Sequence, residues 1–154
     1  MSGARLAAHA VRLLGPVAGP VAIAAPPRLG AHLGAQLAAA GDGDVPAAAV
    51  VAFLGSRPPP AARQALLAAL RNRLPPGAPL VLLDHSQPRA LWRRTVGALV
   101  LAVRGLGPSR ARYPAARELA ALGFAVERLR LACGERVQLV LARRPETLSR
   151  VGDG

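Results

Sequence analysis

Leu74-Pro75-Pro76-Gly77-Ala78-Pro79-Leu80-Val81-Leu82-Leu83-Asp84 is the stretch on which the fold assignment turns. It closes a segment beginning at Ala61 in which Leu66, Leu67, Leu70 and Leu74 recur at helical spacing, so the spacing predicts an amphipathic helix with one buried stripe. Pro75-Pro76-Gly77 ends that helix. Leu80 to Leu83 is apolar without alternation, as expected of a short strand covered on both faces.

The same grammar runs back toward the start. Leu6, Ala10, Leu13 and Leu14 form a stripe, with Arg5 and Arg12 on the other side, and Gly15-Pro16 closes this first helix. Val21 to Ala25 is a short buried strand bounded by prolines. Arg28 to Ala40 reads as a helix ended by Gly41, and Asp42-Gly43-Asp44 as a turn. Ala47 to Leu54 is a second buried strand, and Pro58, Pro59 and Pro60 lead into the helix at 61.

Beyond Asp84 the pattern changes. Arg89 to Val103 predicts a mostly apolar helix, 105 to 108 a loop, and Pro114 to Leu122 a short helix capped by Gly123. Phe124 to Ala132 and Arg136 to Arg144 are strands joined at Cys133-Gly134, a connection too tight for a crossover helix and therefore antiparallel. The expected architecture is an α/β domain with about five strands, three parallel ones and a C-terminal antiparallel hairpin, flanked by helices. It spans residues 1–154 as a single domain, with 1–16 as an N-terminal helix and 145–154 as a flexible tail.

With 52% apolar and 18% charged residues, the chain has too much to bury to remain disordered. A single cysteine, Cys133, excludes an internal disulfide and leaves no cysteine-based metal site. This fits a reducing, cytoplasmic setting. The apolar stretch from Leu13 to Ala25 imitates a signal peptide but is broken by Gly15, Pro16, Gly19 and Pro20, and no run reaches the length of a membrane span.

All 20 basic residues are Arg, giving a net charge of +12. The absence of Lys, with a single Ile and a single Asn, reads as the codon bias of a GC-rich genome, which weakens the charge as a sign of nucleic-acid binding. The Arg excess is concentrated after residue 88, with 13 Arg against 5 acids, so any polyanion contact is expected there.

In this order, the helix and strand of 61–84, Tyr113-Pro114, Leu119-Ala120-Ala121-Leu122-Gly123-Phe124-Ala125-Val126 and a closing hairpin resemble the C-terminal half of class I S-adenosylmethionine-dependent methyltransferases, most nearly the UbiE-like group. The resemblance covers roughly residues 45 to 145 and implies a reduced Rossmann-like methyltransferase sheet. It also implies a glycine-rich cofactor loop after the first strand and a ribose-binding acid after the second. Here the first strand runs into Pro26-Pro27-Arg28-Leu29-Gly30. Only Gly30 stands as a cofactor-binding match, while Pro26 and Pro27 donate no N–H and fix φ. Between Gly41 and Ala47 there is no room for a second and third strand, and Asp42 and Asp44 read as turn residues.

Asp84 and His85 end a parallel strand, where open sheets place their sites, so His85 is the candidate general base with Asp84 orienting it. A plain polar turn through Ser86 is the competing reading. Arg89, Arg93 and Arg94, beside Trp92, are candidates for holding a carboxylate or phosphate substrate, or form a solvated helix face. His9 and His32 lack partners at ligand spacing and read as structural, Cys133 as a bystander thiol, and no metal site is expected.

The reading favours a degenerate methyltransferase-like module with weak or no S-adenosylmethionine binding, acting in binding, regulation or assembly. An active small-molecule methyltransferase using S-adenosylmethionine, and an Arg-rich nucleic-acid binder, are the alternatives. With two strands lost, strand one becomes a bare edge, which predicts a homodimer or a partner protein over it.

Overall fold

The computed structural model describes residues 2–41, 43–54, 58–86 and 115–146. In chain order these form α1 (Gly3–Leu14), β1 (Val21–Ala24), α2 (Pro27–Gly34), β2 (Ala48–Ala52), α3 (Pro60–Arg73), β3 (Pro79–His85), α4 (Ala115–Ala121), β4 (Ala125–Ala132) and β5 (Val137–Arg143). The strands make one sheet in the order β1-β2-β3-β5-β4. β1, β2 and β3 are parallel, and β5 pairs antiparallel with both β3 and β4. The five-stranded mixed sheet expected from the sequence is therefore present.

Two apolar layers hold it. On one face Val50, Val81, Leu83 and Leu139 pack against α1 and α2 through Ala10, Leu13, Leu29 and Leu33. On the other, Val51, Leu80, Leu82 and Val140 pack against α3 and α4 through Leu67, Leu70, Leu74 and Leu119. β2 is buried at every position, which explains why its sequence is apolar without alternation. β4 is the opposite case: an edge strand, it is exposed along nearly its whole length.

Three expectations need correction. The helix expected from Arg28 to Ala40 stops at Gly34, where Gln36 Nε2 donates to the His32 carbonyl within the closing turn. The chain then lies along β1 instead: Ala39 forms a parallel bridge with Val21, the Val21 N–H donating to Ala38 at 2.7 Å and the Ala40 N–H to Val21 at 2.9 Å. The β1 edge is thus closed at Val21. Ile23, two residues on, pairs with Val50 of β2 but has no strand on its outer side among the described residues. In α3 the buried stripe is Arg63, Leu67 and Leu70, continued by Leu74, whereas Leu66 is 37% exposed. The α1 stripe is Ala7, Ala10, Leu13 and Leu14, with Leu6 only partly buried.

The hairpin turn is unusual for its residue types. Cys133, Gly134 and Glu135 all take left-handed φ, at 56°, 62° and 68°, and two of them carry side chains that disfavour it.

Candidate functional site

The carboxyl ends of β1, β2 and β3 form one edge of the sheet, and the predicted residues that can be located stand along it. Alternation along β3 separates the two at its end. Leu80 and Leu82 pack in the α3 and α4 layer, so Asp84 points there, while His85 falls with Val81 and Leu83 on the α1 and α2 side. The neighbours in sequence thus serve different faces.

Asp84 is 1% exposed and has its charge met by Arg63 Nη2 at 2.8 Å. Its other oxygen accepts the His85 backbone N–H at 2.7 Å. Arg63 also grips Glu118 of α4, with Nε 2.8 Å from both carboxylate oxygens and Nη2 2.5 Å from Oε2. Its guanidinium lies 4.2 Å over the Phe53 ring at the end of β2. One buried cation therefore ties α3, β3 and α4 together. Burial alone would lower the Arg63 pKa, but the hydrogen bond to Glu118 and the charge of Asp84 outweigh it and hold the group above its ordinary value. His85 is half-buried, and its carbonyl accepts Gln138 Nε2 at 3.2 Å.

Arg63 and Glu118 were not among the residues singled out from the sequence. The signal was present: position 63 lies four residues before Leu67 on the buried stripe, and Glu118 is the only acid between Ala115 and Val126. A charged residue on a buried helical stripe requires a partner.

The β1 corner holds different chemistry. Pro26 and Pro27 start α2, whose N-cap makes no side-chain hydrogen bond. Gly30 lies in its first turn, donating its N–H to the Pro26 carbonyl at 2.8 Å. A Cβ added to Gly30 would meet only the Ala25 carbonyl oxygen, at 3.7 Å, so no close approach requires glycine there. Asp44 accepts the Gly41 N–H at 2.8 Å, and its carbonyl accepts Arg73 Nη2 at 3.2 Å. Arg73 ends α3 shortly before β3 begins, which puts this acid at the amino edge of the sheet, opposite Asp84.

These residues do not fit an adenosyl cofactor in the manner the resemblance implies. The turn after β1 has lost two N–H donors to proline, its one glycine answers no steric need, and Asp44 lies at the wrong end of the strands.

Arg89, Arg93 and Arg94, with Trp92, lie outside the described residues, as does Asp42. His32 lies across the start of α1, where a side chain at Gly3 would come within 3.1 Å of its Cδ2. Among the described residues no group of His, Cys, Asp and Glu could hold a metal ion, and no helix is long and apolar enough to cross a membrane.

No family model and no curated protein matches the sequence. Solved structures do match the fold. The mitomycin 7-O-methyltransferase MmcR superposes with a TM-score of 0.57 at 20% identity, over 92% of this chain and 52% of that one. The pyocyanin biosynthetic protein PhzM gives 0.56 at 17% identity, covering 93% and 48%. An O-methyltransferase family protein from Burkholderia thailandensis gives 0.56 at 14% identity, covering 94% and 57%. The chain spans about half the length of these structures, and it has the reduced Rossmann-like sheet of the methyltransferase fold.

Proposed function

We propose that this chain is a methyltransferase-like domain that no longer grips an adenosyl cofactor and works as a binding or assembly module. The observation that carries this reading is the Pro26-Pro27 entry to α2, where cradling a nucleoside would call on backbone donors. The commitment of Asp84 to Arg63, and the position of Asp44 at the amino edge, support it. The kinship is proposed at the level of the class. The UbiE-like flavour of residues 45 to 145 rests on turn and packing residues, while two of the structures just compared are named as O-methyltransferases.

This reading looks for a partner along the outer side of β1, beyond the bridge of Val21 with Ala39, where Ile23 is half-buried. A second copy pairing there gives a dimer in light scattering at micromolar concentration.

The deciding experiment is thermal unfolding with S-adenosylmethionine or S-adenosylhomocysteine. A ligand at about 100 times its Kd stabilises by about 2.7 kcal/mol, which would raise Tm by several degrees. The expected result is no shift up to millimolar ligand. A saturable rise would overturn the reading in favour of an active small-molecule methyltransferase, and tight, strongly salt-dependent binding of duplex DNA or RNA would favour a nucleic-acid module.

A further inference from the structure

Arg5, His9 and Arg12 recur at helical spacing on α1, so they share one face of the helix. Across from that face stands β4. Arg130 pairs in register with Leu139, which is buried on the α1 side of the sheet, and Arg130 therefore points toward α1. His9, Arg12, Arg130, Ala132, Cys133 and Leu139 converge around a cavity of about 220 Å³.

The lining has a definite chemical sense. Two arginines and a histidine line it beside an apolar residue, Leu139, that is 2% exposed, and no carboxylate among the described residues lines the cavity. Like charges brought together repel, and a bound anion reverses the sign of that interaction. Guanidinium forks match carboxylate and phosphate oxygens in particular, because two parallel N–H donors meet two acceptors. The volume lies below the roughly 300–1,000 Å³ of pockets for drug-sized ligands, so the occupant is small.

We propose that this cavity binds a small organic oxyanion, with a carboxylate or phosphate head between Arg12 and Arg130 and a short apolar body on Leu139 and Ala132. Cys133 supplies part of the wall. Its left-handed φ of 56° fixes the residue at the turn, and burial pushes its thiol pKa up, so it contributes a neutral group that does not repel the ligand. This site is independent of the adenosyl question, since it lies between α1 and the β4–β5 hairpin and uses no residue of the β1 turn.

An NMR titration of the full chain tests it, with amide shifts followed as inorganic phosphate or benzoate is added at constant ionic strength. Saturable shifts are expected at His9, Arg12 and residues 130–133, and the probe that saturates at lower concentration identifies the head group. Replacing both arginines, Arg12→Gln with Arg130→Gln, should raise Kd about tenfold or more, the cost of losing charge-assisted hydrogen bonds. Arg5→Gln, on the same helix face but outside the cavity lining, should leave it unchanged. Shifts that fail to saturate with both probes, that spread away from the cavity, or that survive in the double variant would refute the site.

Discussion

The two corners of the sheet's carboxyl edge solve different problems. At the β3 corner a buried cation, Arg63, satisfies Asp84 and Glu118 at once and fastens two helices to a strand. At the β1 corner there is no charged side chain in the turn before Arg28, only Ala25, two prolines and the start of α2. Among the described residues, the one acid at the carboxyl ends of these strands, Asp84, is therefore committed to the fold. An acid at the end of a parallel strand is a site candidate by position, but Asp84 shows that position is not enough: its oxygens already have partners.

The sharpest way to break the comparison is to remove the cation. Arg63→Met leaves two carboxylates, 1% and 6% exposed, without their guanidinium, and unfolding in urea should show a loss of about 3–5 kcal/mol. Adding Asp84→Asn and Glu118→Gln to that variant should recover part of the loss, because the buried charges then leave with their partner. A single variant as stable as the wild type would mean that the triad is solvated and that Asp84 is available for chemistry.

How much of this contrast was legible beforehand depends on which force set each element. The parallel strands were readable because total burial writes them as unbroken apolar runs, as at Ala48–Ala52. The hairpin was readable because a connection of a few residues admits only antiparallel pairing. Residues 35 to 40 were not. Alanine accepts helix and bridge alike, so the choice between them fell to two hydrogen bonds with Val21, one donated by its N–H and one accepted by its carbonyl, that only the assembled sheet provides. Leu66 and Arg63 misled for a related reason. Hydropathy ranks leucine inside and arginine outside, whereas the helix face that meets the sheet is set by packing, and Arg63 can occupy it because Asp84 and Glu118, remote in sequence, arrive there.

A smaller effect tests the stiffness of the β1 corner. Pro26→Ala with Pro27→Ala should cost about 1–2 kcal/mol in the same urea measurement, almost wholly because the unfolded chain gains freedom that the prolines deny it. The contacts of α2 through Leu29 and Leu33 should persist, so the unfolding slope m should not change. A change in m would show that the prolines organise the corner instead of merely stiffening it.

The smallest effect has the opposite sign. Gly30 lies inside a helix without a left-handed φ, and the nearest obstacle to a Cβ is the Ala25 oxygen at an ordinary contact distance of 3.7 Å. Gly30→Ala should therefore stabilise the chain by about 0.5–1 kcal/mol, the usual difference between the two residues in a helix interior. If the variant is instead destabilised, the α2 start must need a closer approach than this geometry contains. If it is stabilised but loses a nucleoside ligand that the wild type binds, Gly30 was kept for that ligand. The two corners would then be one site, with β2 between them.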